Sequence, residues 1–188
     1  CGRGRLFAMT RIAIIGGGKI GEALISGLLQ AGHAIKDLVV AEQYQPRADE
    51  LIAEYSIRVS TVADAAEGAD VIVIAVKPND VESALTALTK VDLDGDLEQL
   101  IVSLAAGIPT GFFETRLPAG FPVIRVMPNT PMLVGEGVSV LSPGRHVKAE
   151  HLELVRGILG SVGKVVTVPE SQIDALSTIS GSGPAYVF

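Results

Sequence analysis

The chain has almost no cysteine and no excess of positive charge. Cys1 is the single cysteine among 188 residues, which excludes an intrachain disulfide and a cysteine-rich metal site and favours a reducing, cytoplasmic setting. The 21 acidic residues outnumber the 15 basic ones and give a net charge of −6. This balance argues against a nucleic-acid partner or an anionic membrane surface. No apolar run approaches the roughly 18–20 residues that a transmembrane helix needs, so no membrane segment is expected.

Motifs for metal binding and for nucleophilic catalysis are also missing. His33, His146 and His151 lack the spacing of metal ligands and are predicted to lie on the surface. The sequence contains neither a G-x-S-x-G elbow nor a Walker-type lysine loop. No catalytic residue is therefore identified within the chain, and no metal site is expected.

Short apolar runs alternate with amphipathic segments along most of the chain. Residues 70–76 and 100–104 are continuous apolar runs rich in β-branched side chains, as strands covered on both faces should be. Further strands are predicted at residues 11–15, 37–41, 57–60, 123–127, 138–141 and 164–168. Helices are predicted after residue 19, at residues 46–54, 81–88 and 148–162, and as a short helix after residue 109. This order predicts the α/β class: a Rossmann-like, doubly wound, mostly parallel sheet with helices on both faces.

A glycine motif follows the first predicted strand. Gly16, Gly18 and Gly21 form the pattern G-x-G-x-x-G between that strand and an amphipathic segment. In this context the first glycine permits the turn, the second lets the backbone approach a pyrophosphate, and the third allows close helix–strand packing. The helix N-terminus adds unpaired N–H groups and the positive end of its dipole. The predicted dinucleotide-binding residues here are Gly16, Gly17, Gly18, Lys19, Ile20 and Gly21.

Other candidate residues follow the predicted strands, because ligands of open α/β sheets bind outside the carboxyl ends of the strands. Lys77 directly follows the strongest strand and could neutralise an anion of the ligand or simply end the strand. Asn129 lies between two prolines and suits a structural turn as well as a ligand contact. The candidate cofactor-binding residues at these strand ends are Glu42, Gln43, Ala75, Val76, Lys77, Pro78, Ala105, Ala106 and Asn129.

The acidic residue after the second strand bears on which coenzyme binds. Glu42 lies about twenty residues beyond the glycine motif, near the position at which a carboxylate accepts hydrogen bonds from ribose hydroxyls. It favours NAD, because a carboxylate repels the 2′-phosphate of NADP. The amide of Gln43 and the guanidinium of Arg47 could accommodate that phosphate if Glu42 turned away. These residues leave NAD and NADP both open.

The sequence divides into three parts. Residues 1–10 are interpreted as a tail or cloning remnant, and residues 11–169 as the dinucleotide-binding domain. The strand pattern stops near Pro169, so residues 170–188 are interpreted as the beginning of a second, all-helical domain. The chain ends at Phe188 on an apolar run, which indicates a truncated chain.

Five segments together resemble the pyrroline-5-carboxylate reductase family. They follow the family's order and spacing from about Arg11 to Phe188, and the last segment is the most specific. The segments are residues 15–21, 75–78, 105–108, 125–131 and 180–186.

The resemblance implies a reductase of proline biosynthesis. Such an enzyme transfers hydride from NADPH or NADH to the C=N carbon of 1-pyrroline-5-carboxylate and gives L-proline. The resemblance also implies cofactor contacts from the glycine motif, Gln43, Ala75, Lys77 and Ala106, and it places Glu170 near the bound imino acid. It further implies a homodimer or higher homo-oligomer, whose substrate-carboxylate loop lies outside these 188 residues. The chain alone is therefore expected to bind dinucleotide with little turnover.

Two other interpretations remain open. A β-hydroxyacid-dehydrogenase-type oxidoreductase would share the nucleotide-binding domain but needs an acid/base group in its second domain, where residues 180–186 carry a proline. A non-catalytic NAD(P)-binding regulatory module would need only the first domain. Nothing in the residues excludes it.

Overall fold

The computed structural model describes residues 10–90, 99–128, 137–173 and 175. In this part of the chain eight strands form one sheet, in the order β3-β2-β1-β4-β5-β6-β7-β8. The strands are β1 (Ile12–Ile15), β2 (Leu38–Ala41), β3 (Arg58–Ser60), β4 (Val71–Ile74), β5 (Leu100–Ser103), β6 (Val123–Met127), β7 (Gly137–Pro143) and β8 (Gly163–Thr167).

The strand directions confirm a mostly parallel sheet. Strands β1 to β6 all run parallel to one another, so their carboxyl ends share one edge. Strand β7 pairs antiparallel with β6, and β8 pairs parallel with β7. The last two strands therefore run opposite to the other six, a reversal that the sequence analysis did not predict.

Within the described ranges, six helices of five or more residues cover the two faces of the sheet. They are α1 (Lys19–Gln30), α2 (Gln45–Tyr55), α3 (Val62–Ala66), α4 (Val81–Thr89), α5 (Thr110–Arg116) and α6 (Ala149–Gly160). Strand β1 shows how the layers form: Ile12 and Ile14 join the core that contains α1, α2 and α6, whereas Ala13 and Ile15 join the core that contains α3, α4 and α5. Alternate side chains of a strand point to opposite faces, so an unbroken apolar run serves both cores. The doubly wound fold is confirmed.

Helix α1 packs closely against the turn before β8. A Cβ atom at Gly27 would lie 2.6 Å from Cγ1 of Val162 and 2.9 Å from the carbonyl oxygen of Ser161. Glycine at this position therefore lets the helix backbone approach the last β-strand unit. Within the described residues, no helix has both the length and the apolar character to span a bilayer.

Three local predictions differ from the structure. Helix α3 was not predicted; it begins after Thr61, whose hydroxyl accepts a hydrogen bond from the N–H of Asp64. His33 and His151 are buried rather than exposed, at 3% and 7% accessibility. One ring nitrogen of each histidine is hydrogen-bonded to the backbone, and this bond offsets the free-energy cost of burying the ring. Nε2 of His33 lies 2.9 Å from the carbonyl oxygen of Thr10, and Nδ1 of His151 accepts a hydrogen bond from the N–H of Lys148. His146 is exposed, as predicted.

Candidate functional site

The glycine loop, residues 16–21, comprises the turn after β1 and the first three residues of α1, at the carboxyl edge of the parallel strands. Gly16 adopts φ +108°, and a Cβ there would lie 2.7 Å from the carbonyl oxygen of Ala75. A Cβ at Gly21 would overlap the carbonyl oxygen of Gly16. These two glycines therefore allow the tight turn and the close helix–strand packing that the motif predicts.

Gly18 differs from both, because nothing occupies the space beside it. It has φ −70° and ψ −168°, which any residue can adopt, and no described atom lies within 4 Å of a Cβ built there. It is the N-cap of α1, and no side chain within the described residues caps the helix. The first N–H groups of α1 thus face an open, exposed space, and this geometry fits a pyrophosphate.

The end of β2 lies beside the glycine loop. A Cβ at Gly17 would lie 2.6 Å from Cδ1 of Leu51 and 3.4 Å from Cβ of Glu42. Glu42 is half-buried, and its carboxylate accepts a 3.1 Å hydrogen bond from the N–H of the exposed Gln43. The structure therefore brings Glu42 and Gln43 next to the loop.

The end of β4 lies on the other side of the loop. The N–H of Ala75 donates to the carbonyl of Ile15 at 2.8 Å, and Cγ1 of Val76 lies 3.0 Å from a Cβ built at Gly16. Lys77 is exposed, and Pro78 begins a 3₁₀ turn. Because β2 and β4 flank β1, these predicted residues lie at the strand ends on either side of the glycine loop, and we call the region between these strand ends the glycine-loop crevice.

The end of β5 lies one strand farther along the same edge. Ala105 is buried and its N–H donates to the Ser103 hydroxyl at 3.3 Å, whereas Ala106 is exposed. Asn129, predicted to follow β6, lies outside the described residues, as does the 180–186 segment.

Arg47 makes contacts that its sequence position did not predict. Its Nε donates to the carbonyl oxygen of Gly17 at 2.6 Å. Its Nη2 and Nη1 bind the carboxylates of Glu22 and Glu50 at 2.5 and 3.0 Å. The sequence suggested Arg47 as a group that could accommodate a 2′-phosphate. In the structure its guanidinium is already bound to the loop and to two carboxylates.

The charge network around Arg47 also includes Tyr55, whose hydroxyl donates to the other oxygen of Glu22 at 3.0 Å. The hydrogen bond from Arg47 holds the pKa of Glu22 below its ordinary value, and the same bond raises the pKa of Arg47. Burial, reinforced by the bond to Glu22, raises the pKa of Tyr55. Glu22 and Arg47 are far apart in the sequence, so no local pattern could have indicated their contact.

Glu170 makes contacts within the sheet domain. Its two carboxylate oxygens accept from the N–H and the hydroxyl of Thr110, each at 2.7 Å. The guanidinium of Arg125, which is 4% exposed, lies 3.4 Å from one of these oxygens. Glu170, at the start of a helical segment, thus ties that segment to α5 and β6.

A second concave region lies at the opposite edge of the sheet. This polar cleft of about 210 Å³ includes the starts of β1, β2 and β3 and the turn before β4. Its charged lining residues are Arg11, Lys36, Arg58, Asp37, Asp64 and Glu67. Because ligands of parallel sheets bind at the carboxyl ends of the strands, the glycine-loop crevice is the candidate site. In the described ranges, no group of three His, Cys, Asp or Glu residues is placed to hold a metal ion.

A family model and two curated relatives match this chain, and the relatives match almost all of it. Residues 11–107 match the family described as NADP oxidoreductase coenzyme F420-dependent. The chain is 53% identical over 186 residues to pyrroline-5-carboxylate reductase of Mycobacterium tuberculosis, which covers 97% of this chain and 63% of that protein. It is 45% identical over 181 residues to the Corynebacterium melassecola enzyme of the same name, covering 96% of this chain and 67% of that protein. The chain thus spans less than two thirds of the mycobacterial relative.

Solved structures agree with these relatives. A pyrroline-5-carboxylate reductase from Coxiella burnetii superposes with a TM-score of 0.88 at 31% identity, covering 95% of this chain and 66% of that one. Plasmodium falciparum pyrroline carboxylate reductase, solved with NADP bound, superposes with a TM-score of 0.78 at 27% identity, covering 96% and 65%. The chain belongs to the pyrroline-5-carboxylate reductase family.

Proposed function

We propose that the protein containing this chain reduces 1-pyrroline-5-carboxylate to L-proline with a nicotinamide coenzyme, as a step of proline biosynthesis. The observation that carries the proposal is the open N-terminus of α1 at Gly18, set between the ends of β2 and β4. This phosphate cradle occurs in a chain that is 53% identical to a protein named for the reaction.

We propose that the crevice binds one dinucleotide in an extended conformation. The glycine loop and α1 would hold the pyrophosphate, with Gly16, Gly17, Gly18, Lys19, Ile20 and Gly21 as the contacting residues. Glu42 and Gln43 would lie at the adenosine ribose, because they follow the strand on that side of the loop. Along the rest of the coenzyme we propose contacts from Ala75, Val76, Lys77, Pro78, Ala105, Ala106 and Asn129.

NADP is supported by two comparisons. The matching family is described as an NADP oxidoreductase, and the Plasmodium structure holds NADP. The Glu42 carboxylate beside the loop favours NAD on charge grounds, since it would repel a 2′-phosphate. We propose NADPH as the hydride donor, with NADH as an alternative whose use depends on Glu42.

The chemistry asks little of this domain beyond binding and alignment. When bound, the reduced nicotinamide would supply a hydride to the C=N carbon of the protonated imine, whose nitrogen then keeps its proton as the amine of L-proline. The strand ends fix the coenzyme's position, which makes the transfer effectively intramolecular. We place Glu170 near the imino acid, held by Thr110 and Arg125. We assign no catalytic side chain within the chain.

The remainder of the protein would complete the site. Because the chain spans 63% of its mycobacterial relative, we propose that a helical domain beginning near Glu170 supplies the substrate-carboxylate loop and the contacts of a homodimer or higher oligomer. The acidic balance of the chain supports the absence of a nucleic-acid partner, and its single cysteine supports a cytoplasmic location.

Steady-state oxidation of NADPH by the intact protein tests the proposal. With 1-pyrroline-5-carboxylate we expect turnover of about 1 s⁻¹ or more, and none with β-hydroxyacids and NADP⁺. Residues 1–188 alone should bind NADPH with much slower turnover. Activity on β-hydroxyacids only would favour the alternative dehydrogenase, and coenzyme binding by the intact protein without any turnover would favour a regulatory module.

A further inference from the structure

We propose that Arg47 is a positioning residue that orients the phosphate-binding loop through the carbonyl of Gly17, and that it does not read the 2′-phosphate. The inference rests on the proposed function only in needing a dinucleotide at the glycine loop. It concerns a side chain from a different helix, α2, that reaches the loop across the sheet edge.

The contact geometry fixes one peptide plane. The Nε–H of Arg47 donates to the Gly17 oxygen at 2.6 Å, and this peptide, like every described one, is not cis. In a planar trans peptide the C=O and N–H point in opposite directions. The N–H of Gly18, the N-cap residue of α1, therefore points away from Arg47. Holding the oxygen thus fixes the direction of this donor before any ligand arrives.

The guanidinium is itself held in place. Glu22 on α1 binds Nη2 at 2.5 Å, and Tyr55 at the end of α2 donates to the second Glu22 oxygen at 3.0 Å. The Arg47 side chain is 23% exposed and that of Glu22 is 32% exposed. One planar group thereby joins the loop to both α1 and α2.

The surrounding charges oppose direct recognition of a phosphate by Arg47. Glu22 and Glu50 both bind the guanidinium, and Glu42 lies beside Gly17. A 2′-phosphate approaching Arg47 would meet three carboxylates against one cation. Arg47 therefore serves the pyrophosphate, which NADPH and NADH share, and not the group that distinguishes them.

Binding of NADPH and of NADH to the intact protein, measured without substrate, tests this assignment. In Arg47→Met the Kd of both coenzymes should rise by the same factor, roughly tenfold, because a charge-assisted hydrogen bond that orders the loop is lost. Adenosine 2′-monophosphate lacks the pyrophosphate, so its Kd should not change. A rise for NADPH and adenosine 2′-monophosphate alone would overturn the proposal, and so would unchanged Kd values.

Further variants keep the test decisive if Arg47→Met unfolds. Arg47→Lys retains the charge and one donor and should recover part of the affinity for both coenzymes. Glu22→Gln loosens the guanidinium and should weaken both equally, by a smaller factor. Arg156→Met is the matched control, because Arg156 makes comparable contacts with Glu153 and Thr167 on α6 and β8, far from the loop. Unequal losses in Arg47→Lys or Glu22→Gln overturn the assignment, whereas failure of the wild type to bind either coenzyme refutes the proposed function instead.

Discussion

The substitution Gly18→Ala adds one methyl group, which we expect to weaken coenzyme binding with little effect on the stability of the fold. The position has φ −70° and ψ −168°, and no described atom lies within 4 Å of the added carbon. Alanine lowers the entropy of the unfolded chain but is a poorer N-cap than glycine, and these effects oppose each other. We expect the free energy of unfolding to stay within about 1 kcal/mol of the wild type.

The same methyl group fills the space that the pyrophosphate would occupy. Forcing an extra methyl into a close contact costs about 1–3 kcal/mol, which corresponds to a roughly 5- to 150-fold rise in Kd. Calorimetric titration with NADPH, together with urea unfolding of the same sample, measures both quantities.

Two other glycines provide the comparison for Gly18. Gly21→Ala should lose both stability and affinity, since its Cβ meets the Gly16 backbone. Gly160→Ala lies in open space at the end of α6 and should change neither property for the worse. A Gly18→Ala protein that binds NADPH as the wild type does would refute the placement of the pyrophosphate at this N-terminus.

Glu170, Glu22 and Glu42 each give a further prediction, and Glu153 serves as the control for Glu170. Glu170→Gln should lower the free energy of unfolding in urea by about 1.5–3 kcal/mol, because charge-assisted hydrogen bonds are lost, whereas Glu153→Gln, in an exposed pair, should change it by no more than about 0.5 kcal/mol. The pKa of Glu22 in the folded protein lies below its ordinary value of 4.5. The ionised carboxylate therefore stabilises the fold at pH values above 4.5, and this contribution disappears as the pH falls through the folded-state pKa. The stability difference between wild type and Glu22→Gln should therefore shrink below pH 4.5, and urea midpoints that keep a constant difference from pH 7 to 3 would contradict this. Glu42→Ser should improve NADPH binding relative to NADH in parallel titrations if its carboxylate lies at the ribose, and no gain would place it elsewhere.

The buried strands were predictable because a strand that is covered on both faces requires apolar residues at every position. All positions of β1, β4 and β5 are buried, so each is a continuous apolar run. The glycine spacing likewise predicted the loop, since Gly16 and Gly21 each lie where a side chain would overlap backbone. Helix α3 was missed because five residues are too few to show a helical period, although Thr61 and Asp64 form a recognisable capping pair.

The antiparallel direction of β7 follows from the short connection between β6 and β7 more than from the residue types in the strand. Only residues 128–136 separate Met127 from Gly137, too few for the crossover of a dozen or more residues that a parallel strand needs. The contacts of Arg47 and Glu170 could not be predicted in this way. Each joins groups on different elements, which only the folded chain brings together.

Close packing at Gly27 has a consequence for the opposite end of α1. From Gly18 to Gly27 the helix rises by about 13 Å. The turn at Val162 contacts α1 near its C-terminal end, and the glycine loop lies at its N-terminal end. A helix is stiff over this length, and a bulkier contact under Gly27 would tilt its axis and displace its leading amides. The last β-strand unit thereby orients the N-terminus of α1, where we propose that the pyrophosphate binds.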